Sequence, residues 1–106
     1  MVWKKGMLIV SIFMFIVIFS FSSNITVGFI ATNLSAEAQA RVAESFDKLA
    51  KDKGWKTVIL NSQGYYETQA NQLENLVQMK VDAIVLAMAH PLEVKPSLDK
   101  VIKAGI

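Results

Sequence analysis

Hydrophobic positions change their spacing twice along the chain, and the changes mark its organisation. Met7 to Phe21 is an unbroken stretch of apolar residues and serine. From Ile25 onward, short apolar runs alternate with longer segments of helical period. Ile25 to Ala31 is rich in β-branched and aromatic residues and predicts a strand closed by Thr32-Asn33. A helix is predicted over 36–53, with Ala38, Val42, Phe46 and Leu49 on one face, Ser35 as its N-cap and Gly54 as its stop. Trp55 to Leu60 reads as a second strand and Asn61 to Gly64 as a turn. The helix predicted over 67–79 has Tyr66, Ala70, Leu73 and Val77 in phase. A third strand is predicted over 83–88, and a last helix over 92–104 that turns Val94, Leu98, Val101 and Ile102 inward. Pro96 fits there because the first four N–H groups of a helix have no intrahelical partner.

Three strand–helix units with short connections predict an α/β fold: a three-layer αβα parallel sheet built by right-handed crossovers. The third strand is apolar at every position from Ala83 to Met88, the pattern of a strand covered on both faces inside a parallel sheet. The sequence ends at Ile106, just after Gly105, where a fourth strand is expected to begin. Residues 25–106 are therefore expected to form part of a lobe.

The N-terminal segment is of a different kind. Lys4 and Lys5 precede an apolar run of about fifteen residues, secretory-signal length and short of the ~20 a spanning helix needs. Ser20-Phe21-Ser22 places small residues at a possible cleavage point. Residues 1–22 are read as a signal peptide or, if uncut, a signal anchor, and the membrane is expected to be touched only there. Setting Lys4 and Lys5 aside leaves nine basic against nine acidic residues, so the formal charge of +2 implies no surface for nucleic acid. There is no cysteine, which excludes disulfides, thiolate metal sites and a lipid-acceptor thiol.

The ordered runs Val27-Gly-Phe-Ile-Ala-Thr-Asn-Leu-Ser35, Ala50-Lys-Asp-Lys-Gly54-Trp55, Leu60-Asn-Ser-Gln63, Gln69-Ala-Asn-Gln-Leu-Glu-Asn-Leu76, Val81-Asp-Ala-Ile-Val-Leu86 and Lys103-Ala-Gly-Ile106 resemble the N-terminal lobe of the ribose- and galactose-type periplasmic binding proteins. The resemblance implies part of a type I periplasmic-binding-protein fold. It implies an exported solute-binding protein that captures a sugar or similar polar solute for an ABC transporter permease. It departs from the family pattern in two places. Ala36, Ala38 and Gln39 stand where sugar binders usually carry an asparagine and aromatic rings, and Ala87-Met88-Ala89-His90 stands for an Asn-Pro-x-Asp run.

In an open parallel sheet the ligand lies beyond the carboxyl ends of the strands. The candidate ligand-binding residues are therefore Thr32, Asn33, Gln63 and His90. The ends that carry Thr32, Asn33 and Gln63 are rich in neutral hydrogen-bonding groups, which suit hydroxyls, and His90 is a candidate hydrogen-bonding or pH-sensitive contact. No metal or other cofactor is expected. Gly6, Gly28, Gly54, Gly64 and Gly105 form neither a dinucleotide fingerprint nor a phosphate loop. One histidine and scattered serines supply no nucleophile–base pair, so no enzyme activity is expected. The alternative function is a membrane-anchored periplasmic ligand-sensing domain of a signalling receptor, with residues 1–22 retained.

Overall fold

The computed structural model describes residues 24–106, and the segment read as a signal or anchor lies outside the described residues. Strand β1 (Thr26–Ala31), helix α1 (Glu37–Asp52), strand β2 (Lys56–Asn61), helix α2 (Tyr66–Gln78), strand β3 (Ala83–Ala87), a 3₁₀ turn (Pro91–Val94) and helix α3 (Lys95–Lys103) follow in order. The strands are all parallel, in the spatial order β2-β1-β3. Central β1 is covered on both faces, which is why its sequence does not alternate with polar residues. Phe29 and Ala31 face α1, alongside Ala43, Phe46 and Ile59. Ile30 faces the other way, into a cluster with Leu73 and Leu76 of α2 and Val94 and Val101 around α3. The predicted αβα layering is thus present. Burial of side chains such as Phe29, Ile30, Leu73 and Leu76 stabilises it by about 1.5–3 kcal/mol each.

Gly28 lets α2 come close. A β-carbon there would lie 2.5 Å from Leu76 Cδ1, so the Leu76 side chain could not keep its present place against β1. Two of the helix stops are left-handed glycines, as expected: Gly54 and Gly105 adopt φ of 78° and 82° after α1 and α3.

Three expectations are corrected in detail. The inward face of α1 is rotated from the predicted one. Ala43 and Ala50 are buried, whereas Val42 and Leu49 are 47% and 62% exposed and Ala38 is exposed. Small side chains bring α1 against the sheet and leave the larger ones on its flank. The N-cap of α1 is Ala36 and makes no side-chain cap bond. Ser35 does not cap, because its N–H and hydroxyl both donate to Asn33 Oδ1, at 3.0 and 2.6 Å. The last helix is split: Pro91 opens a 3₁₀ turn and Pro96 lies in the first turn of α3. Val94 and Val101 are buried there, but Ile102 is 71% exposed.

Strand β3 forms one edge of the described sheet rather than its interior. Ile84 and Leu86 pack under α2 and α3, while Ala83 and Val85, on the α1 side, are exposed. Among the described residues no helix is long and apolar enough to cross a membrane.

Candidate functional site

The chain leaves β1 to one side to build β2, then crosses back over β1 to build β3. In open α/β sheets the crevice beyond the carboxyl edge at such a reversal, here between the loops that follow β1 and β3, is the usual ligand position. Thr32 to Ser35 forms one wall and Met88 to His90 the other, with Gln63 on the far side of the β1 loop, after β2.

Thr32 holds the crevice together from below. Its hydroxyl lies 2.9 Å from the carbonyl oxygen of Ala87 and 3.0 Å from that of Met88, so its single proton is shared between them. Its oxygen also accepts from Gln69 Nε2 at 3.4 Å. Gln69 is fully buried in the first turn of α2 and donates as well to Ser62 Oγ at 3.5 Å. The Ser62 hydroxyl donates in turn to Gln72 Oε1 at 2.8 Å, and Gln72 Nε2 donates to the Asn61 carbonyl at 3.0 Å. Both hydroxyl protons are thereby committed elsewhere. The Gln69 amide must present its NH₂ to the two hydroxyl oxygens, which leaves Gln69 Oε1 buried without a partner. One chain of polar side chains, fully buried at Ser62 and Gln69, ties the ends of all three strands to α2.

The loop after β1 is braced from its other side. Asn33 N–H donates to Gln39 Oε1 at 2.8 Å, and Asn61 Oδ1 accepts from Leu34 N–H at 3.1 Å and Gln63 N–H at 3.0 Å. Gly64 N–H donates to the Thr32 carbonyl at 2.7 Å. Gln63 and Met88, at the ends of β2 and β3, both stand in the left-handed region with φ of 56° and 54°. Neither is glycine, and strained backbone of this kind gathers at functional loops.

The four residues expected to bind ligand therefore differ in what they have free. All lie along one edge. Thr32 spends its hydroxyl on the protein. Asn33 spends Oδ1 on Ser35, while its amide nitrogen makes no hydrogen bond among the described residues. Gln63 and His90 are exposed, and their side chains make no hydrogen bond among the described residues. His90 instead meets the Tyr66 ring edge to face.

The buried amide of Gln69 is absent from the sequence-based expectations. Gln69 lies in phase with Leu73 and Leu76 on the inward face of α2, and a glutamine on an apolar stripe signals a polar group that must be satisfied inside. Tyr66 was expected to pack inward, yet it is 38% exposed beside the crevice. No group of three or more metal-ligating side chains is gathered among the described residues.

Residues 27–106 match the profile of a family described as "periplasmic binding protein domain". No match is found among curated proteins. Among solved structures, an ABC sugar transporter subunit from Rhodobacter sphaeroides 2.4.1 superposes with a TM-score of 0.73 at 23% identity, covering 76% of this chain and 29% of that one. The periplasmic binding protein component of the arabinose ABC transporter from Shewanella sp. ANA-3, bound to alpha and beta-L-arabinofuranose, gives 0.67 at 25% identity over 76% of this chain and 27% of that one. A galactofuranose binding protein gives 0.63 at 27% identity, over 77% and 28%. The chain thus spans less than a third of the length of these proteins.

Proposed function

The chain belongs to the periplasmic binding protein domain family, and from that premise we propose that it serves as an extracytoplasmic solute-binding protein, capturing a sugar or similar polar solute for import by an ABC-type transporter. Its α/β architecture is part of a lobe of the type I fold of that family. The observation that carries the reading is the crevice at the β1/β3 reversal. Its loops are fixed by hydrogen bonds from Thr32 and Asn33, while Asn33 and His90 keep polar groups free beside it and Gln63 does so on the other side of the β1 loop. Groups of that kind match hydroxyls in both donor and acceptor capacity and impose no charge requirement. The sugar named for two of the similar structures, a pentose or hexose in furanose form, is consistent with such a rim.

In this reading residues 1–22 direct export, and the domain from residue 25 works in the periplasm or cell envelope. The permease is the partner that receives the solute.

Two measurements test the proposal. As part of a lobe the chain is expected to bind sugar weakly or not at all on its own. Titration of the isotope-labelled chain with D-glucose and with L-arabinose is therefore carried to high sugar concentration, where any amide and side-chain NMR shifts should fall together on Asn33, Gln63 and His90. Shifts confined to other surfaces count against solute capture. For export, N-terminal sequencing of the secreted product should begin at or near Ser23. An intact Met1 in the membrane fraction would instead favour an anchored receptor.

A further inference from the structure

Four lysines gather at the end of the domain opposite the crevice. All strands are parallel, so their amino ends meet the carboxyl ends of the helices at one pole. Lys53 caps α1, Lys56 opens β2, Lys80 follows the cap of α2 and Lys103 ends α3. All four are exposed, and none forms an ion pair among the described residues. Asp52 and Asp82 share the pole, and Asp82 Oδ2 accepts from Thr26 N–H at 2.8 Å. Residues 24–106 carry nine basic and nine acidic residues, so four against two here leaves five against seven over the rest. A basic end on an otherwise acidic domain turns that end toward an anionic surface.

Helix carboxyl ends favour cations, which accounts for Lys53 and Lys103. It does not account for Lys80. Gly54 and Gly105 take the left-handed position after α1 and α3, with φ of 78° and 82°, but the equivalent position after α2 is Lys80, with φ of 56°. A lysine is held there against backbone strain that glycine would relieve. Lys56 opens a strand, and its N–H donates to the Ile25 carbonyl at 2.8 Å, so it stands where the chain enters β1. Apolar groups accompany the charges. The Lys53 ammonium lies 5.7 Å from the centre of the half-buried Trp55 ring, and Met79 is 56% exposed next to Lys80. Tryptophan beside lysine suits a membrane–water boundary. The apolar run Met7 to Phe21 ends five residues before Thr26, a reach of at most about 18 Å, so a membrane that holds that run lies close to this pole.

We propose that the pole formed by Lys53, Trp55, Lys56, Lys80 and Lys103 docks on an anionic membrane surface, a second contact beyond the one expected at residues 1–22. The carboxyl edge, at the opposite end of the sheet, is then kept clear of the lipid. The docking surface is independent of solute capture and rests on the reading of residues 1–22 as membrane-directed.

The full chain with Trp3→Phe keeps Trp55 as its one tryptophan. It is mixed with vesicles of phosphatidylcholine, alone or with phosphatidylglycerol, each carrying lipid brominated near the headgroup. Sedimentation with the vesicles reports the N-terminal segment, and quenching of Trp55 fluorescence reports the pole. Quenching should appear with phosphatidylglycerol, be absent with phosphatidylcholine alone, and fade as salt is added. Lys80→Gly, which relieves strain and so keeps the fold, should weaken docking about fivefold. Lys95→Gln removes the same charge from the carboxyl-edge side, at the start of α3, and should leave docking unchanged. Quenching that is absent or equal on both lipids, or equal losses for the two variants, overturns the docking surface and leaves membrane targeting standing. A chain that sediments with neither vesicle overturns the reading of residues 1–22 and the surface with it.

Discussion

The Thr32 hydroxyl bridges the end of β1 to the end of β3, 2.9 Å from the carbonyl oxygen of Ala87. The bond spans the crevice floor at the chain reversal, and Gln69 completes it from α2. Thr32→Val keeps the shape and the β-branch but leaves the Ala87 and Met88 carbonyls without this donor and the Gln69 amide without one of its two acceptors. The expected loss is about 1–3 kcal/mol, read from the urea midpoint, and Thr32→Ser should recover most of it. A Thr32→Val midpoint equal to wild type would show that the bridge contributes nothing to stability.

Gly28 and Leu76 make a second close relationship. A methyl at Gly28 would meet Leu76 Cδ1 at 2.5 Å and Cδ2 at 2.8 Å, and Leu76 is fully buried. Gly28→Ala is therefore expected to destabilise by about 1–3 kcal/mol through overpacking. Leu76→Ala opens the space the methyl needs. The double variant should be clearly more stable than the sum of the two single losses, a coupling that denaturant unfolding of all four proteins measures.

These relationships also show where the sequence was readable. Order, type and approximate bounds of the strands and helices follow from hydrophobic period and from the glycine stops. The phase of α1 does not. Val42 and Leu49 outweigh Ala43 and Ala50 on any hydrophobic scale, but the sheet admits the helix more closely over small residues, a tertiary effect that periodicity does not contain. At the site, the position beyond the strand ends was legible from topology. The division of labour was not. Whether Thr32 faces solvent or spans to Ala87 depends on a contact 55 residues away in the chain. Gln69 was the missed clue, since its helical phase with Leu73 already placed an amide inside.

Asp47 gives a pH prediction. Its carboxylate accepts hydrogen bonds from Lys51 Nζ, at 2.7 Å, and from the Thr57 hydroxyl on β2, and these hold its pKa below the ordinary value of 3.8. A depressed folded-state pKa means the unfolded chain takes up the proton first. The stabilisation is thus complete above pH 3.8 and is lost as pH falls through the lowered folded value. The difference in melting temperature between wild type and Asp47→Asn should be steady at neutral pH and shrink in acid. Added salt should reduce it, because the Lys51 pair is largely exposed. A difference that grows on acidification would contradict this assignment.

Gln63 sets stability against binding at one residue. Its φ of 56° is strained for any residue with a β-carbon, and Gln63→Gly should relieve that strain and raise stability by about 0.5–1 kcal/mol. The same change removes an exposed amide from the carboxyl edge of the sheet. Met88, with φ of 54°, has the matching backbone but an apolar side chain, so Met88→Gly serves as the comparison. If the Gln63 side chain contacts solute, Gln63→Gly should weaken the NMR-detected sugar affinity severalfold while Met88→Gly leaves it near wild type. Both variants should unfold at higher urea concentration than the parent. Equal losses of affinity would assign the effect to left-handed backbone at the strand ends. No loss in either would remove Gln63 from the site and leave the rim to Asn33 and His90.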